Sequence, residues 1–188
     1  MIPFRDNIPS RTFPLINISI IIANCAIFFY ELSFSTRGLT RLVGYYGVVP
    51  ARVFAWPEST LPLTALVIPF FASMFLHGGW LHLIGNLWFL RIFGRNVEDR
   101  MGHLRYLLLY LGAGAAAALM QLAADPRSAL PTVGASGAIA GVMGAYFILL
   151  PYARIVTLVP IFFFFQVIEI PMAINKALSP RQAEAVDD

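Results

Sequence analysis

The sequence predicts an all-α fold, a polytopic bundle of transmembrane helices with four clear spans and a weak or partial fifth. Three observations predict it. Of the 188 residues, 59% are hydrophobic and 12% are charged, about half the charged fraction of an ordinary soluble domain. The mean hydropathy is +0.74, too apolar for a single water-facing globule to bury. The apolar residues also fall in runs close to the ~20 residues that a helix needs to cross a bilayer. At that length per crossing the chain has room for about five or six spans at most.

Residues 1–14 are polar, with Arg5 and Arg11, and read as a cytoplasmic N-terminus. Residues 15–32 form the first span. They are too long for a signal-peptide core, and no small-x-small cleavage site follows closely, so an uncleaved anchor is expected. Residues 33–61 are a long loop in which the aromatic stretch 42–54 suits the membrane interface. The apolar run 62–93 exceeds one straight span, so its first part is expected to be loop or tilted helix. Residues 91–105 are the densest charge cluster and hold Glu98 and Asp99. A third span follows at 104–124, a turn at 125–131 and a fourth span at 132–150. Residues 155–174 are apolar but broken by Pro160, Gln166, Glu169 and Pro171, which leaves a partial span or an interfacial segment open. Residues 175–188 form a polar tail. The domain expectation is an N-terminus at 1–14, a membrane domain at 15–174 and the tail.

Charge sets the orientation. With the N-terminus inside, the inner segments hold Arg5, Arg11, Arg91, Arg95, Arg100, Arg105 and Arg154, against Arg37, Arg41, Arg52 and Arg127 outside. The bias favours a cytoplasmic N-terminus. The net charge of +3 fits this role, and no basic stripe interleaved with aromatics points to nucleic acid. The single Cys25 excludes an intrachain disulfide and reads as a small buried hydrophobe.

The second and fourth spans carry the residues with chemistry. At ~100° per residue, His82 and Asn86 lie about 40° apart on one helix face, whereas His77 is about 140° from His82 and belongs at the helix start or in a distorted turn. Ser136 opens the fourth span in Gly134-Ala135-Ser136-Gly137, with Gly137 and Gly141 as a small-xxx-small pair. Each residue alone has a plainer reading. Intramembrane polar groups glue helices together, and small residues pack them closely. Together they also suit a serine hydroxyl facing hydrogen-bond donors that would stabilise an oxyanion. With both spans entering from the outer side, the two sets meet in the outer half of the bilayer.

The stretch from His77 through His82 to Asn86 resembles the His-x4-His-x3-Asn signature of rhomboid intramembrane serine proteases. Gly134-Ala-Ser136-Gly137 resembles that family's nucleophile motif, and Glu98-Asp-Arg-Met-Gly102 its Glu-x3-Gly turn. The resemblance runs over roughly residues 10–171. It implies Ser136 as nucleophile, and His82 and Asn86 as oxyanion-side groups beside the Ser136 backbone N–H. It further implies His77 as a supporting polar residue, with Gly134 and Gly137 flanking the nucleophile, and Glu98 as a structural carboxylate. It implies a Ser–His dyad without a metal or organic cofactor, and cleavage of transmembrane or juxtamembrane segments of protein substrates in the lipid bilayer. A bacterial inner membrane is the family-level location.

Two departures stand out. The family's general-base histidine follows the serine on a sixth span, and no histidine follows Ser136 here. The expectation is a chain truncated before that span, with little activity as it stands. His103, in the inner charge cluster, is expected to be a solvated surface residue. Ala140 stands four positions after the serine, where some relatives carry an aromatic. The alternatives are an inactive relative that binds transmembrane helices through the same groove, or a small transporter or channel subunit in which His77, His82 and Glu169 relay protons.

Overall fold

In the computed structural model the chain is mostly helical, and the structure describes residues 2–161 and 164–171. Strand β1 (Ile2–Asp6) leads into helix α1 (Leu15–Glu31). Helices α2 (Thr36–Tyr46) and α3 (Pro50–Phe54) occupy the first loop. Helix α4 (Thr64–Ala72) and a short turn (Ser73–Phe75) precede α5 (Trp80–Phe89). A π-helical turn (Leu90–Gly94) joins α5 to α6 (Arg95–Met101). Helices α7 (His103–Ala124) and α8 (Ser136–Leu149) follow, then strands β2 (Arg154–Ile161) and β3 (Phe164–Pro171).

The four expected spans correspond to four apolar helical segments. Only α7, among the described residues, is by itself long and apolar enough to cross a bilayer. The second segment is bent by 81° between Thr64–Phe75 and Trp80–Met101, so the long apolar run 62–93 is indeed split. Helices α1 and α8 have 17 and 14 residues. At ~1.5 Å per residue they run about 26 and 21 Å, against a hydrocarbon core of ~30 Å.

The bundle packs through small and polar residues. A side chain at Gly137 would overlap Ala117, and one at Gly141 would overlap Ala113, so α7 and α8 meet along paired i, i+4 positions. The π turn has its cause in a contact with α1. The Asn17 amide donates to the Leu90 carbonyl at 3.1 Å, which draws that carbonyl out of the helical ladder. Gly94 then sits so close to Asn17 and the Tyr106 hydroxyl that a methyl group would overlap both. Tyr106, Tyr110, Tyr146, Phe93 and Val142 fill the core around this point.

The all-α expectation fails at both ends of the described chain. Strands β1, β2 and β3 form one antiparallel sheet in that order. Residues 154–161 and 164–171, in the stretch expected as a partial span or an interfacial segment, are instead two paired antiparallel strands. Ile155, Val156, Thr157, Val167 and Ile168 are β-branched and favour a pleated strand, while Pro160 would break a helix. Pro160 lies beyond Leu158, where the pairing with β1 begins, so its missing N–H costs the sheet nothing on that side. The backbone of Glu169 pairs with Val156 between the same two strands. The remainder of the expected span and the tail at 175–188 lie outside the described residues.

The fourth helix starts at Ser136 and not at residue 132. Thr132 is used in a short backbone pairing with Val48, at 2.8 and 3.1 Å, and Gly134 has φ +118°, a conformation that ends any helix and suits glycine. The loop partner is itself fixed. Arg52 donates to the Gly44 and Gly47 carbonyls at 2.6 and 2.8 Å, satisfying the C-terminal end of α2. The N-terminus of α1, the C-terminus of α8 and the sheet share one end of the bundle, where the Tyr146 hydroxyl donates to Asp6 at 2.9 Å. Ser136 lies at the other end.

Candidate active site

The site is assembled from the end of α1 outward. Glu31, the last residue of α1, is 2% exposed. Both of its carboxylate oxygens lie near the His77 backbone N–H, at 3.2 and 3.3 Å. This contact holds the turn between Ser73–Phe75 and α5, so His77 precedes the helix and does not follow its wheel. His77 is buried, with its ring edge-on to Phe28. Its Nδ1 lies 3.2 Å from the Phe75 carbonyl and its Nε2 lies 3.0 Å from the Asn86 side-chain nitrogen. A carbonyl only accepts, so in the neutral ring Nδ1 carries the proton and Nε2 accepts from Asn86. One Asn86 N–H is thereby committed to His77 and the second is not.

His82, on the first turn of α5, is half-buried, with its ring centre 5.2 Å from that of His77. Its other side rests on Gly134. A Cβ at residue 134 would stand 2.5 Å from His82 Cε1 and 2.6 Å from Nε2. Glycine is therefore required at 134 twice, for the backbone angle and for the imidazole. The Gly134 N–H donates to the Ser73 carbonyl at 2.8 Å, which ties the motif to the turn before His77.

Ser136 is exposed at the N-terminus of α8, and its hydroxyl makes no hydrogen bond among the described residues. The first amides of a helix have no intrahelical acceptor and point toward any anion placed there. A cavity of about 150 Å³ adjoins the serine, lined in part by Ser73, Met74, Gln121, Gly134 and Gly137.

The structure thus brings His77, His82, Asn86, Gly134, Ser136 and Gly137 to one end of the bundle. Glu98 is not among them. It is 1% exposed at the opposite end, where it accepts from the Ile16 and Asn17 N–H groups, both at 2.8 Å, and so caps the N-terminus of α1. His103, expected to be merely solvated, lies 2.5 Å from Glu98 through Nδ1; its ring is half-exposed but partnered. Gly102, at φ +80°, makes the turn between α6 and α7. Ala140 is exposed one turn along α8 from Ser136. Among the described residues no three His, Cys, Asp or Glu side chains converge as metal ligands.

Glu31 escaped the sequence reading. So did Asn17 and Asn24, which are buried on the same helix. The signal was available: 17, 24 and 31 are seven apart, a drift of only about 20° per step around a helix. That marks a polar seam facing inward along α1.

This geometry can be set beside known proteins. Residues 65–182 match the family model of the Rhomboid domain. The chain belongs to the rhomboid family. Rhomboid-like protein 11, chloroplastic, of Arabidopsis thaliana is 35% identical over 122 residues, 65% of this chain and 38% of that protein. Rhomboid protease GluP of Bacillus subtilis is 31% identical over 142 residues, 76% of this chain and 25% of that protein. Rhomboid-like protease 5 of Toxoplasma gondii is 40% identical over 80 residues, 39% of this chain and 8% of that protein. The chain thus spans well under half the length of these curated relatives. Rhomboids are integral membrane proteins, and the family is one of intramembrane serine proteases acting on transmembrane substrates in the bilayer.

Proposed function

We propose that this rhomboid carries the substrate-binding and oxyanion half of an intramembrane serine endopeptidase site, with Ser136 as the nucleophile. The observation that carries the reading is the His82 imidazole packed on Gly134, two residues before Ser136, at one end of two apolar helices. In the proposed reaction, Ser136 Oγ attacks a peptide carbonyl of a transmembrane or juxtamembrane segment. The carbonyl oxygen gains charge and is met by the Ser136 backbone N–H, by His82 and by the uncommitted N–H of Asn86. His77 acts as a positioning residue, because its acceptor nitrogen fixes the Asn86 amide. Gly134 and Gly137 let the imidazole and α7 approach.

The proton of Ser136 needs a base. No histidine follows Ser136 in this sequence, and His103 belongs to the opposite end with Glu98. His82 is the imidazole beside the motif, and its role here is on the oxyanion side. Residues 1–188 alone are therefore expected to turn over slowly, with a base supplied from outside them restoring the rate. The site faces the outer side if the N-terminus is cytoplasmic, as the arginine bias favours.

A second reading is supported by the lack of a histidine after Ser136: the same end of the bundle binds transmembrane helices without cutting them. Reconstitution in liposomes with a fluorescent transmembrane substrate separates the two. Cleavage abolished by Ser136→Ala supports the peptidase. Substrate that co-purifies with both forms and stays intact supports the binder. Removing one oxyanion donor by Asn86→Ala should lower any cleavage by ~100-fold or more.

A further inference from the structure

A second cavity lies at the end away from Ser136. It measures about 1280 Å³ and opens between β1, the start of α1 and the π turn. Its apolar walls include Ile18 and Ile21 from α1 and Trp88 and Ile92 from the second segment. Two arginines also line it, Arg91 on the π turn and Arg95 on α6.

The two cations differ. Arg95 is already engaged, 3.9 Å from Asp6 and 3.5 Å from the Ile8 carbonyl. Arg91 makes no ion pair or hydrogen bond among the described residues. The carboxylate that reaches the cavity, Asp6, is engaged by Arg95, by the Asn96 amide and by the Tyr146 hydroxyl. Among the described residues the site therefore offers an unpaired guanidinium beside an apolar cleft. Trp88 is held at the cleft by its indole N–H, which donates to the Pro3 carbonyl at 2.6 Å.

We infer that this cavity is a binding site for an anionic phospholipid, with the phosphate on Arg91 and an acyl chain along Ile18, Ile21 and Ile92. A guanidinium presents a planar fork that matches phosphate oxygens. A cleft walled by Ile18, Ile21, Trp88 and Ile92 offers apolar surface that an acyl chain can cover. A water-soluble phosphate would match the arginine and leave the apolar walls unused. The charge pattern agrees with the choice of lipid. The cavity opens at the end that carries most of the chain's arginines, and basic pockets between membrane helices on that side recognise anionic headgroups. The inference is independent of whether Ser136 cleaves anything.

The test uses the full chain in detergent, exchanged with vesicles of phosphatidylglycerol or of phosphatidylcholine, and reads bound lipid by native mass spectrometry. The wild type is expected to retain the anionic lipid selectively, and Arg91→Gln to lose about fivefold of that selectivity, the worth of one arginine near an anionic headgroup. Ile21→Trp, which narrows the cleft and leaves the charge, should reduce retention of both lipids. Equal retention of the two lipids by the wild type would overturn the inference. So would unchanged selectivity in a folded Arg91→Gln, or displacement of the lipid by millimolar inorganic phosphate, which would assign the site to a free phosphate.

Discussion

Glu98 and Glu31 are both buried glutamates, and they lie against opposite ends of α1. Glu98 accepts from two backbone N–H groups at 2.8 Å and stands 2.5 Å from His103. Among the described residues Glu31 has the His77 N–H alone, at 3.2 and 3.3 Å from its two oxygens. One carboxylate is saturated with short contacts and pins a helix end into a charged, sheet-covered region. The other is sparsely served and holds a turn that carries a site residue. The difference teaches where the molecule is built to stay fixed and where it can yield. The contacts of Glu98 serve the scaffold, whereas beside the turn that Glu31 holds one Asn86 N–H is left uncommitted.

The largest effect is expected at the saturated end. Glu98→Ala leaves the buried Asn17 amide and the part-buried Ile16 amide without their acceptor, at about 1–3 kcal/mol per stranded group, and removes the His103 contact. A loss of about 3 kcal/mol or more is expected in reversible unfolding from mixed micelles. Glu98→Gln, which keeps one acceptor oxygen, should lose less. A cost under about 1 kcal/mol for Glu98→Ala would remove the contrast between the ends.

Gly134→Ala comes next. The substitution places a side chain at φ +118° and drives it into His82. The backbone strain alone is of order 1–3 kcal/mol. His82 should be displaced, visible as a changed imidazole resonance, while the resonances of His103 stay in place. A Gly134→Ala protein with an unmoved His82 signal would contradict the packing on which the site rests.

Glu31→Ala should cost less than either, about 1–2 kcal/mol, because a single N–H is left without its acceptor. Its effect is local. Hydrogen exchange at the His77 amide should quicken, and Glu31→Gln should restore much of the protection. A cost equal to that of Glu98→Ala would make the two ends alike.

How far the sequence could anticipate this contrast depends on the scale of the signal. Apolar runs report helices well, so the four apolar helical segments, and the fact that residues 62–93 are not one straight span, are legible in the sequence. Spacing reports shared faces, so His82 and Asn86 were placed together. His77 was harder, because its position depends on Glu31 holding a turn 46 residues away, and no local pattern encodes such a contact. For residues 155–174 apolar content alone leaves a partial span or an interfacial segment open, and the β-branched residues that favour the antiparallel strands 154–161 and 164–171 are a weaker signal than the apolar run. Glu98 was read as structural from its motif, while its capping of α1 is a long-range contact that only the folded chain displays.

The smallest effect is expected at Ser136 itself. Its side chain is exposed and its hydroxyl has no partner among the described residues, so Ser136→Ala removes no native interaction. Stability should stay within about 0.5 kcal/mol of wild type, in contrast to every substitution above. The proposed role of Ser136 in ligand contact rests on its place at the N-terminus of α8, two residues after the Gly134 on which the His82 ring rests. Unfolding of Ser136→Ala in micelles, run beside labelling of the wild type by a fluorophosphonate, tests both halves of that statement. A stability loss of more than about 1 kcal/mol would mean that the hydroxyl serves packing. Unchanged stability with Ser136-dependent labelling would mean that it is held in reserve for chemistry.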